Sequence, residues 1–135
     1  MSAEGRFRLE LAVRLSALFG GVVLAGIGVR FLIAPDLAAR EFGIAVGSPG
    51  VALHQAIAYR DIWLGLLAAA LACLGEWRAL AIWLGLGALA CFADSAIAVT
   101  SSGRTGAVAF HIGAGLVFAV LGLAAWRLHR GVGSR

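Results

Sequence analysis

Four stretches of the chain run almost uninterrupted in apolar residues, at about 13–33, 51–74, 79–99 and 106–128. Each is close to the ~20 residues an α-helix needs to cross a hydrocarbon core of about 30 Å. The last two links, Gly75-Glu76-Trp77-Arg78 and Thr100-Ser101-Ser102-Gly103-Arg104-Thr105, are short and polar. Short links force consecutive helices to run antiparallel. The pattern therefore predicts an all-α, integral membrane four-helix bundle, up-down-up-down, as a single membrane domain over residues 1–135.

The first connection, from Pro35 to Gly50, is longer and has its own grammar. Pro35 suits the first turn of a helix and Gly43 suits its end. Leu37, Phe42 and Ile44 would give such a helix an apolar side for the headgroup region. A short interfacial helix is expected between spans 1 and 2.

Composition strengthens the membrane reading and removes the soluble ones. Of 135 residues, 61% are hydrophobic and 13% charged, against roughly a quarter charged in soluble domains. The mean hydropathy is +0.96, so the lipid bilayer is the expected solvent and no length remains for a separate soluble domain. All eleven basic residues are Arg, which reads as composition bias. A net charge of +4 could suggest nucleic acid, but the arginines stand in ones and twos beside apolar spans. No nucleic-acid partner is expected.

Arginine placement instead orients the bundle. Arg6, Arg8, Arg14, Arg78, Arg127, Arg130 and Arg135 flank one side, and only Arg40 and Arg104 the other. Basic residues near span ends favour the cytoplasm, which predicts a multi-pass inner-membrane protein with both termini cytoplasmic. Glu4 and Glu10 interrupt the positive region a signal peptide would need, so the first span is expected to be retained, preceded by a short arm. Cys73 and Cys91 fall at different depths, which disfavours a disulfide.

Small residues recur at helical spacing: Gly21, Ala25 and Gly28; Gly87, Cys91, Asp94 and Ala98; Ala107, His111, Gly115 and Gly122. In lipid such stripes let helix backbones approach closely. Tight packing accounts for them without a catalytic role.

The polar residues inside the spans are Arg30, His54, Gln55, Arg60, Asp61, Asp94 and His111. An ionisable group there costs at least about 2.5–3.5 kcal/mol on insertion scales, so it should face the bundle interior and find a partner. Arg30, His54, Asp94 and His111 all fall toward one membrane face. Arg60 and Asp61 lie about 13–15 Å in from the same face, near mid-depth. Asp61 shares a helix face with His54, while Arg60 points about 100° away. Helical side chains lean toward the N-terminus, so Arg60 and Asp94 on antiparallel spans are expected to converge as an ion pair. Desolvation and a neighbouring Arg pull a carboxylate's titration in opposite directions, so the charge states of Asp61 and Asp94 stay open.

His54 and His111 raise two cofactor readings. Facing helices could ligate a haem through both, but no haem-attachment Cys-x-x-Cys-His occurs. A metal held by His54, His111 and Asp94 would have suitable ligand types and no diagnostic spacing. Hydrogen-bonded histidines near the interface suffice, and no cofactor is expected. Phosphate-cradling loops and nucleophile elbows are also lacking.

Arg60-Asp61-Ile62-Trp63-Leu64-Gly65, with Pro35, Phe42-Gly43, Asp94 and His111, resembles a family of small membrane proteins known only as domain of unknown function 4267. The resemblance extends from about Phe19 to Ala125. In general plan the chain is also similar to the DoxX-like four-helix membrane proteins. The resemblance implies a four-span bundle with polar positions at Arg60, Asp61, Asp94 and His111, and it implies no reaction. Arg30 and His54 gain nothing from it.

Three functions follow as expectations. The first is a buried polar site in the outer half, built from Arg60, Asp61, Asp94 and His111 with His54 and Arg30 beside them. It would bind a small lipophilic ligand, with modification or onward transfer of that ligand as further steps. The second is an accessory or scaffold subunit whose charges are structural. The third is a small proton-coupled transporter, for which four spans are few unless the chain forms a homo-oligomer.

Overall fold

The computed structural model describes residues 2–44 and 50–131. Five helices follow one another: α1 (Ala3–Ile33), α2 (Pro35–Phe42), α3 (Val51–Leu74), α4 (Trp77–Ser101) and α5 (Thr105–Arg130). Helices α1, α3, α4 and α5 are each long and apolar enough to cross a membrane. The all-helical, four-span architecture expected from the hydrophobic pattern is present. Residues 45–49 of the first connection, and Arg135 of the arginine count, lie outside the described residues.

Burial is inverted relative to a water-soluble bundle. The inside is built mostly of small residues, including Ala17, Ala58, Ala68, Ala72, Ala88, Ala98 and Ala125. Phe19, Leu66, Leu74, Leu89 and Leu123 point outward. Lipid tails are as apolar as Leu, so large side chains gain nothing by leaving them, and helices associate where small residues allow close contact.

That contact is closest between α1 and α3. A Cβ placed on Gly28 would lie 2.5 Å from the carbonyl oxygen of Ala58 and 2.9 Å from the amide nitrogen of Ile62. Gly21 and Gly65 meet in the same way one heptad further along, where a Cβ on Gly21 would lie 2.6 Å from the Gly65 carbonyl oxygen. Helices α4 and α5 form the second intimate pair, around Leu80, Leu84, Ala125 and Leu128. Across the seam, α1 meets α5 and α3 meets α4 over far less surface.

Helix α1 extends the first span. The expected short arm is instead helical from Ala3, because the Ser2 hydroxyl accepts the Gly5 N–H at 3.2 Å and caps the end. Pairs Arg8–Glu4 at 2.6 Å and Arg14–Glu10 at 3.3 Å, each one turn apart, support the extra turns. Arg6 and Arg14 reach the carbonyl oxygens of Gly131 and Cys73, so they also cap the ends of α5 and α3.

The expected interfacial helix is α2. Pro35 starts it and Gly43, at φ +101°, ends it in the left-handed region that favours glycine. Its C-terminal carbonyls are capped from elsewhere in the bundle. The Arg104 guanidinium donates to Arg40 at 2.6 Å, and His111 Nε2 donates to Phe42 at 3.0 Å.

A side chain at Gly28 must separate α1 from α3. Gly28→Val is expected to lower folded yield and the detergent Tm, at an overpacking cost of about 1–3 kcal/mol or more. Gly26→Ala, on the same helix but where an added Cβ meets no other element within 4 Å among the described residues, should leave both within experimental error. Equal behaviour of the two variants in a thermal melt would refute the close-packed α1–α3 contact.

Candidate functional site

Because the two tight helix pairs meet loosely, space remains along their seam. It forms one elongated cavity of about 820 Å³, walled by α1 and α5 and completed by residues of α2, α3 and α4. Its lower stretch is apolar, with Leu15, Phe19, Leu24, Val117, Phe118 and Leu121. Its other end carries Arg30, Glu41, Arg60, Asp61, Asp94 and His111. Phe19 on α1 and Val117 on α5 are both lining and outward-facing, at 72% and 55% exposure. The cavity thus opens sideways between α1 and α5, toward lipid.

Five of the six residues singled out in the sequence line this cavity. Asp61 is buried at 3% exposure and accepts from Arg60 Nε at 2.9 Å. The expected Arg60–Asp94 ion pair does not form: Arg60 is taken by its own neighbour in sequence. Adjacent residues leave a helix about 100° apart, yet the long Arg side chain folds back across that angle. Asp94 enters no salt bridge among the described residues, although it lines the same cavity as Arg60, Asp61 and His111.

Arg30 sits at the rim and pairs with Glu41 at 2.7 Å, which ties α2 back onto α1. Both side chains are half-exposed, so the pair is worth little in stability and more in position. Glu41 is a site residue the sequence did not flag. An acid on a short interfacial helix is ordinary, and its facing of Arg30 depends on how α2 folds back.

His111 is buried, and its hydrogen bond to the Phe42 carbonyl fixes its tautomer, because a carbonyl oxygen only accepts. Nε2 therefore carries the proton and Nδ1 is the acceptor of the neutral ring. Phe42 and Phe110 stand edge-on to this ring, with centroids 4.5 Å and 5.5 Å away.

His54 stands apart. It is buried but does not line the cavity, and its Nε2 has no hydrogen-bond partner among the described residues. Its ring lies 6.0 Å from Phe31, which lies 6.0 Å from Phe42, which in turn contacts His111. A run of ring contacts through Phe31 and Phe42 thus links the two imidazoles. Among the described residues, no group of three or more His, Cys, Asp or Glu side chains is placed to hold a metal.

Together the fold and the cavity define a four-span helical membrane protein with a laterally open, amphiphilic chamber. The chain belongs to the family described as Domain of unknown function (DUF4267), whose model matches residues 21–125. That match takes in every residue of the chamber's polar end. No curated protein and no solved structure matches the chain.

The pairing pattern predicts unequal costs for the two aspartates. Asp61→Asn leaves the Arg60 guanidinium unmatched beside a low-dielectric interior, at a cost between the ~1 kcal/mol of an exposed pair and the ~3–5 kcal/mol of a buried one. Asp94→Asn removes a carboxylate that holds no ion pair, and should leave the Tm unchanged or raised. Thermal melts in a mild non-ionic detergent check the order, and an Asp94→Asn loss larger than that of Asp61→Asn would contradict it.

Proposed function

We propose that this protein binds a small amphiphilic molecule drawn sideways from the bilayer, holding its head among Arg60, Asp61, Asp94 and His111 and its apolar part between α1 and α5. One observation carries the reading: the charged lining residues gather toward one end of a single cavity, whose remaining length is almost wholly apolar and reaches the outward-facing Phe19 and Val117. A purely structural set of ion pairs has no use for such a chamber. In a bundle whose association depends on close contact, an unfilled seam forfeits dispersion energy along its whole lining. Modification of the ligand, or its release to a partner, would follow binding at the same head-group cluster.

The Arg30–Glu41 and Arg60–Asp61 pairs and the His111 cap favour a second reading for those residues, since each already serves the fold. An accessory or scaffold subunit needs only that much. Occupancy of the chamber separates the two. Native mass spectrometry of protein released from gentle detergent is expected to show wild type carrying a bound amphiphile, and Ala114→Phe, which fills the α5 wall, folded but bare. A bare wild type, or equal loading of Ala114→Phe, would favour the scaffold.

The proposal also includes an orientation. With Arg6, Arg8, Arg14, Arg78, Arg127 and Arg130 at one end of the bundle and Arg40 and Arg104 at the other, the reading is a multi-pass protein of the cell inner membrane with both termini cytoplasmic. The head-group end of the chamber then faces outward. In intact cells an impermeant thiol reagent should label Ser102→Cys and spare Ser2→Cys, each in a background without Cys73 and Cys91. The reverse pattern inverts the assignment.

A further inference from the structure

The charges around the chamber do not cancel, and the remainder points to a ligand class. Its polar end holds three carboxylates, Glu41, Asp61 and Asp94, and two guanidiniums, Arg30 and Arg60. Each guanidinium is committed to one carboxylate, Arg30 to Glu41 at 2.7 Å and Arg60 to Asp61 at 2.9 Å. Asp94 is left over. Residues 45–49, Ala-Val-Gly-Ser-Pro, bring no charged side chain that could serve it.

The groups beside Asp94 are of the same bias. The Nε2–H of His111 is taken by the Phe42 carbonyl, so that donor is not free for the chamber, and in the neutral ring Nδ1 is an acceptor. The rings of Phe42 and Phe110 flank that imidazole and line the same space, and aromatic faces attract cations. A carboxylate left without an ion pair among the described residues, an imidazole and two phenyl rings suit a positively charged, hydrogen-donating head group.

Resting on the amphiphile-binding reading above, we propose that the ligand is a lipophilic monocation, an alkyl- or arylammonium, with Asp94 as its counter-ion. An anionic amphiphile would add charge of the sign the chamber already has in excess. A neutral hydroxyl head could use the acceptors and would leave Asp94 unmatched.

Three probes with one tail and different heads test this. Dodecylamine (as its ammonium), dodecanol and dodecanoate are titrated onto the full chain in phosphatidylcholine nanodiscs, with partition into empty nanodiscs subtracted. The measurement is made near pH 8. The ammonium is expected to bind saturably, roughly tenfold or more tighter than the alcohol, and the carboxylate not at all. Asp94→Asn should erase the preference for the ammonium over the alcohol, and Asp94→Glu should keep it, with circular dichroism confirming that both variants are folded. Alcohol binding equal to ammonium binding, or a preference that survives Asp94→Asn, overturns the cation assignment and leaves the amphiphile chamber standing. Saturable binding by none of the three overturns both.

Discussion

Close backbone contact between α1 and α3 is the constraint on which the rest of the structure depends. In water a bundle is held by withdrawing large apolar side chains from solvent, but here those side chains already sit in a solvent they match. What remains is dispersion, which falls off within an ångström. Gly21, Gly28 and Gly65 bring α1 and α3 within that range. Helices α4 and α5 do the same around Ala81, Leu84 and Gly122. Two intimate pairs cannot also be intimate along their whole shared seam, and the chamber is the space left by that choice.

The polar end of the seam is closed by α2, whose position is over-determined. Its N-terminus follows α1 directly at Pro35, its Glu41 returns to Arg30, and its last carbonyls are bound by Arg104 and His111. Gly43, which ends it, packs so tightly that a Cβ there would lie 2.7 Å from that of Ala98. His111 therefore serves two structures at once, the cap of α2 and the wall of the chamber. A change at α2 should be felt in the His111 ring.

Much of the scaffold is legible in the residues because lipid imposes simple rules. Apolar length gives the spans, Pro35 and Gly43 bound α2, and stripes such as Gly21, Ala25 and Gly28 mark the contact face. The polar end is less legible. Ranking Arg60 with Asp94 assumed that side chains follow their helical lean, whereas a guanidinium on a long stem can reach back to the adjacent Asp61. The Arg30–Glu41 pair depends on the path of the chain after Ile33, which no local pattern encodes. His54 shares its helix face with Asp61, as the spacing implies, but Phe31 stands against its ring and it takes no part in the chamber. Facing inward is a property of a helix wheel; sharing a cavity depends on what the neighbouring helix places in between.

The six residues Arg60 to Gly65 show how packing and chemistry can be written into one segment. Gly65 meets the Gly21 backbone, and Ile62 lies against Gly28, so these two positions set how closely α3 approaches α1. Arg60 and Asp61 lie within the same turns and supply the chamber with a pair that is neutral as a unit. Moving α3 away from α1 would shift that pair relative to Asp94, which comes from the other helix pair and is not attached to it by any salt bridge among the described residues. The chamber's polar end is thus assembled across the loosest interface in the bundle. Its geometry is set by contacts made elsewhere, at Gly28 and Gly65 on one side and at Leu84 and Gly122 on the other, so residues remote from the polar end hold the spacing of its side chains.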